Sequence, residues 1–162
     1  VKSRLIASVA LGAAVLLGST GCSLISPQAT LIQYAPSDGV EVMGTGALKV
    51  RNVLVVANEA GTAGNLVAAI VNESDEPQTL DIDVDNGTIT DSIRVPANST
   101  VSLGTAEDEP LLLEGIDAQP GSLLPIYFTS GDQGSLAQVP VLDNTLEYLR
   151  DLAPTPTPSA TR

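Results

Sequence analysis

The chain has 162 residues, 7 basic against 19 acidic side chains, and no histidine, for a formal charge of −12. Such acidity repels nucleic acid and anionic membrane surfaces, favours cationic partners, and leaves no basic patch to hold phosphates. The lack of histidine excludes every nucleophile–base pair built on an imidazole. The length fits one domain. With Phe128, Tyr34, Tyr127 and Tyr148 as its aromatics, its core must be made of Val, Leu and Ile.

Lys2 and Arg4 precede an apolar run, Leu5 to Leu17, of signal-peptide length and too short to span a bilayer. Small residues follow, Gly18-Ser-Thr-Gly21, and then Cys22, the single cysteine. The stretch resembles a bacterial lipobox, whose usual leucine three residues before the cysteine is here Ser19, with Leu17 the nearest leucine. The expectation is a lipoprotein signal peptide over 1–21 and a lipid-modified Cys22, diacylglyceryl and palmitate-type chains holding the protein on the extracytoplasmic side of the cell membrane. More than one acyl chain makes such anchoring stable. A lone thiol in an exported domain cannot form an internal disulfide, and a thioether accounts for it. Loss of the leader removes two basic residues and no acids, taking the charge to −14. Residues 22–46, with Pro27, Pro36 and scattered Gly, Ser and Asp, read as a tether without sustained period. Its apolar Leu31-Ile32 and Tyr34 are candidates to dock on the domain.

A β-rich domain is predicted over 47–142. Leu48 to Ala57 is a strand, partly or wholly buried through Val50, Val53, Val55 and Val56. Leu66 to Val71 is nearly all apolar, as a central strand would be. Thr79 to Asp85 alternates, Leu80, Ile82 and Val84 on one face and Asp81, Asp83 and Asp85 on the other. Asn86-Gly87 then signals a tight hairpin that pairs Val84 with Ile89 and Leu80 with Ile93. Asp91 falls opposite Ile82, which invites a bulge or an early end of pairing. Short strands follow around Val101 to Leu103 and Leu111 to Leu113, and Leu123 to Thr129 and Leu136 to Val141 close the domain. This spacing predicts an all-β sandwich. Residues 143–153 read as a short C-terminal helix capped by Asn144, with Glu147 in capping-box position. Residues 154–162 read as a disordered, extended Pro/Thr tail.

The chemistry-bearing candidates are few. Asp81, Asp83 and Asp85 invite a weak calcium site, but glycine comes one residue late for an EF-hand loop and Ser92 stands where its glutamate belongs. A solvent face of the strand explains the same three carboxylates. Glu107-Asp-Glu109 reads as a solvated loop, and Lys49, Arg51 and Arg94 as locally paired cations. Met43 stands alone in the tether, and there is no P-loop and no GxGxxG. No catalytic residue and no cofactor is expected.

The run Gly64-Asn-Leu-Val-Ala-Ala-Ile-Val-Asn72 through Thr79-Leu80, then Ile93 to Leu103, Leu113-Glu-Gly-Ile116, Pro120-Gly121, Ile126-Tyr-Phe128 and Val139-Pro-Val141 resembles, in order, the periplasmic copper chaperones of the PCuAC class. The leader, Val50 to Val56 and Leu142-Asp143 with Tyr148 resemble the small actinobacterial lipoproteins of the LpqE type. The resemblance implies an immunoglobulin- or cupredoxin-like β-sandwich and a copper(I) site of two histidines and methionines. The expected His-x-Met stretch falls near Glu109-Pro-Leu-Leu112, and leucines cannot replace the imidazole and sulfur that copper(I) selects. The expected function is therefore a non-catalytic binding or scaffold domain, an accessory to an envelope or respiratory membrane complex with a protein partner. The alternative is metal handling, as a degenerate copper chaperone or weak calcium binder.

Overall fold

The computed structural model describes residues 2–19, 37–85, 87–105 and 107–154, with the backbone alone at 14–19. Cys22, the tether up to Pro36, Asn86, and the tail beyond Pro154 lie outside the described residues. The chain divides into two units, 1–34 and 35–162. The first contains helix α1 (Lys2–Ser19), whose Leu5, Ile6, Val9 and Leu11 side chains are exposed. No helix among the described residues is long and apolar enough to cross a membrane.

The second unit is a β-sandwich of nine described strands: β1 (Val40–Val42), β2 (Leu48–Ala57), β3 (Ala63–Asn72), β4 (Gln78–Val84), β5 (Ile89–Val95), β6 (Ser99–Leu103), β7 (Leu111–Glu114), β8 (Leu123–Ser130) and β9 (Gln133–Leu142). One sheet runs β5-β4-β8-β9. In the other, β2 pairs with β1 and β3, and the far edge of β3 is shared by β6 and β7. The two sheets are joined where the end of β9 runs parallel to β2, at Val55–Val141 and Val56–Leu142. Every other ladder is antiparallel.

Both sheets face a single core. Val50, Val53 and Val55, Leu66 and Ile70, Leu80, Ile82 and Val84, and Ile126, Phe128, Val139 and Val141 meet there, all essentially removed from water. The parity of β2 changes midway. Arg51 pairs with Ala69 and Leu54 with Val67, so Asn52 and Val53 oppose one residue of β3 in a β-bulge. Asn52 takes the left-handed conformation, at φ 50°. The bulge lets Val50 and then Val53 and Val55 point inward, and turns Leu54 and Val56 onto the outer face. A small second cluster covers them there, with Leu149 at its centre. This is why the run from Val53 to Ala57 is apolar at every position.

The β4–β5 hairpin keeps the predicted register, Val84 with Ile89 and Leu80 with Ile93. Asp91 sits opposite Ile82 with no bulge, and pairing continues to Gln78–Val95. Asp91 is accommodated because β5 is a sheet edge and that residue is exposed.

Two boundaries differ from the sequence expectation. Val40–Val42, placed in the tether, is strand β1, paired to β2. Gly39 leads into it, pressed against the bulge: its amide donates to Asn52 Oδ1 at 3.1 Å, and a Cβ there would meet the Asn52 carbonyl carbon at 2.4 Å. The C-terminal helix is a 3₁₀ segment, Glu147–Leu152, not an Asn144-capped α-helix. Leu146 stands at its start without a side-chain cap. Asp143 instead organises the approach, its Oδ1 accepting from the Thr145 amide (3.0 Å) and hydroxyl (2.5 Å). These bonds hold the Asp143 carboxyl below its ordinary value.

Candidate functional site

A polar–apolar concavity of the β domain lies between the β6–β7 connection and the 3₁₀ segment. It is a groove of about 780 Å³ bordered by Asn65, Thr105, Glu109, Pro110, Leu112, Tyr148 and residues 151–154. Its walls are built locally. Asn65 of β3 donates through Nδ2 to the Leu152 carbonyl (3.0 Å), fixing the end of the 3₁₀ segment to the sheet. Gly104, at φ 85°, turns the chain out of β6, and its amide and that of Thr105 donate to the Asp108 carbonyl at 2.9 and 3.0 Å. The acidic stretch Glu107-Asp-Glu109 is thus an ordered connection, with Asp108 its organising residue. Leu112 of β7 stands 47 % exposed and Tyr148 59 % exposed. The Tyr148 hydroxyl donates to Asp38 Oδ2 at 2.6 Å, and that bond raises its pKa above 10.

The three aspartates of the candidate calcium row remain on the outer face of β4 and the turn after it. Asp81 Oδ1 accepts from the Ser92 hydroxyl (2.5 Å), Asp83 Oδ1 from the Gly87 amide (2.5 Å), and Asp85 Oδ2 from the Thr88 hydroxyl (3.5 Å). Among the described residues no three His, Cys, Asp or Glu side chains come together as a metal site. Lys49 pairs with Glu73, which lowers the Glu73 carboxyl, and Arg51 lies 3.6 Å from Glu41. Met43 follows β1, 65 % exposed, and borders a different, smaller groove. Cys22 lies outside the described residues.

One residue did not stand out in the sequence as a structural centre. Asn72, 1 % exposed, donates through Nδ2 to the carbonyls of Glu76 (2.8 Å), Val95 (3.2 Å) and Pro96 (3.0 Å). Its Oδ1 accepts from the Ser74 amide (3.0 Å) and hydroxyl (2.7 Å). It ties the β3–β4 loop to the corner between β5 and β6.

This arrangement recurs in a solved structure. The apo PmoF2 PCuAC domain superposes with a TM-score of 0.50 at 15 % identity, covering 65 % of this chain and 97 % of that one. The sandwich described above is the fold of the PCuAC domain. The copper-bound PCuAC domain from PmoF2 gives a TM-score of 0.48 at 15 % identity, covering 64 % and 97 %. No protein-family model matches the chain, and no curated protein does.

The residues present do not fit a copper(I) centre. Glu109 and Pro110 lie in the loop before β7, Leu111 is half-buried, Leu112 is exposed and Leu113 is buried in the core. The groove offers carboxylates, hydroxyls and hydrocarbon. These are hard or inert toward a soft cation. No nucleophile with an imidazole base can be assembled in it.

Proposed function

We propose that the protein is an exported lipoprotein, anchored through Cys22 on the extracytoplasmic side of the membrane, whose β-sandwich binds or scaffolds another envelope protein without catalysis of its own. In this reading it serves as an accessory to an envelope or respiratory membrane complex. What supports the binding role is the groove edged by Glu109, Pro110 and Leu112, in the region where the resemblance to copper chaperones would lead one to expect metal ligands. The fold remains, while the chemistry at that place is apolar and acidic. The lipid anchor rests on the sequence from Leu5 to Cys22.

The test is extraction of the native protein in mild detergent from its own membranes, with the Cys22→Ser form as control. A stoichiometric protein complex that depends on Cys22 is expected. Recovery of the protein alone, with the control equally membrane-bound, overturns the reading.

The likeness of fold to copper-chaperone domains favours one second reading, a metal-handling protein that works with a ligand-bearing partner. Copper(I) titration of the isolated domain separates the two, because submicromolar binding by the domain itself is incompatible with a purely scaffolding role.

A further inference from the structure

We infer that the outward face of β8 and β9 is the docking surface for an apolar, Lys/Arg-flanked segment of another protein. This rests on the reading of the chain as a binding domain and adds a second face, distinct from the groove beside Glu109 and Leu112, together with the chemistry of its partner. In β8 the alternate residues Leu124, Ile126 and Phe128 enter the core, so Leu123, Pro125 and Tyr127 face outward. The register sets Leu123 opposite Pro140, Pro125 opposite Gln138 and Tyr127 opposite Leu136. A solvated sheet face ordinarily carries polar residues at such positions. Here Leu123 is 58 %, Tyr127 44 % and Leu136 59 % exposed. Beside Leu136 a groove of about 250 Å³ opens between β9 and β1, lined by Val42, Met43 and Ala137 and also by Glu41, Ser135 and Gln138. An exposed apolar ridge beside a groove offers a partner the kind of pocket in which a few anchoring side chains can carry much of the binding energy.

The charge around the ridge selects the partner. β4 lies against β8 and puts Asp83 opposite Tyr127 and Asp81 opposite Thr129. Neither aspartate is in an ion pair among the described residues. Strands β1, β4, β8 and β9 carry no Lys or Arg, and the one basic residue of the four-stranded sheet is Arg94 on edge strand β5, opposite Thr79. Covering the ridge draws this acidic row toward whatever covers it. A second copy of the chain brings the same acids, and an anionic bilayer brings phosphates, so both meet like charge. A segment with apolar residues between lysines or arginines satisfies ridge and row together.

The experiment uses the full-length chain in the membranes of the organism that makes it, with a photoreactive residue at position 138 of β9 or, separately, at position 100 of β6. Adducted peptides are identified by mass spectrometry. The expected result is an adduct from position 138 with one segment of another protein that is apolar and flanked by Lys or Arg. The yield should fall at least ten-fold when Leu123→Glu and Leu136→Glu are added, and also with the milder Leu136→Gln. Adducts with lipid, with a second copy of this chain, or with an acidic segment overturn the inference. Protein adducts from position 100 alone overturn it while leaving the binding-domain reading intact. No protein adduct from either position overturns both.

Discussion

The Tyr148 hydroxyl donates a 2.6 Å hydrogen bond to the Asp38 carboxylate and so joins the entry and the exit of the β domain across 110 residues of sequence. The bond stabilises the protonated phenol, and the Tyr148 pKa is therefore raised above 10 in the folded protein. A raised folded-state pKa gives stability that is complete below the unfolded value and is lost as pH rises through the folded one. Ultraviolet titration of tyrosinate should place the Tyr148 phenol above its ordinary value. Asp38→Asn should bring it back toward the ordinary value, and Tyr148→Phe should remove that transition altogether. An unchanged curve in Asp38→Asn would show that the bond does not form in solution.

Asn72→Ala should be among the most damaging single changes outside the apolar core. It leaves the carbonyls of Val95, Pro96 and Glu76 without their donor in a buried corner. The expected loss is about 3 kcal/mol, the scale of a buried polar network broken on one side. Asn72→Asp retains the Ser74 contacts and loses the three donated bonds, so it should fall nearly as far. Urea unfolding midpoints measure both.

Gly39→Ala should loosen β1 in particular. A methyl group would meet the Asn52 backbone at 2.4 to 2.7 Å, and backbone cannot step aside as a side chain does. The expected cost is about 1–3 kcal/mol, with faster amide exchange at Val40–Val42 and little change in β8. Gly115→Ala is the contrasting case. It has open space but sits at φ 83°, and should lose about 1 kcal/mol through backbone strain alone.

Leu149→Ala should release the 3₁₀ segment while the sandwich persists. Leu149 is 2 % exposed and packs with Leu54, Val56, Val67 and Leu152 in a cluster separate from the main core. The expected loss is about 2–3 kcal/mol. Exchange at Glu147–Leu152 should rise well before exchange in β3, marking a unit that opens locally.

Strand positions were legible wherever a run was long or strictly alternating. Leu48–Ala57 was readable to the residue, and the Thr79–Ile93 hairpin was readable in register because one slip would have put Leu80, Ile82 and Val84 in water. Strand β1 was hidden because three residues carry no period, and what holds it is a bulge 10 residues downstream of Val42, at Asn52. The capping-box pattern at Asn144 misled because the Asp143–Thr145 turn takes the polar groups first, and the pull toward Leu54 and Val56 is tertiary. At the site, the loss of histidine was plain. The exposed ridge was concealed because β8 reads as one continuous apolar run, in which inward Phe128 and outward Tyr127 look alike.

The seam between the two sheets rests on two residue pairs, Val55–Val141 and Val56–Leu142, whose partners lie 86 residues apart. The hairpins β2–β3, β4–β5 and β8–β9 close over short loops and can assemble early, while this joint must wait for the whole chain. Until β9 arrives, the C-terminal half of β2 offers an apolar, unpaired edge of the kind that recruits foreign strands. A nascent chain emerging N-terminus first thus passes through a vulnerable interval that begins with Ala57 and ends only with Leu142. Premature termination within the last strand should therefore yield aggregation rather than a smaller soluble sandwich.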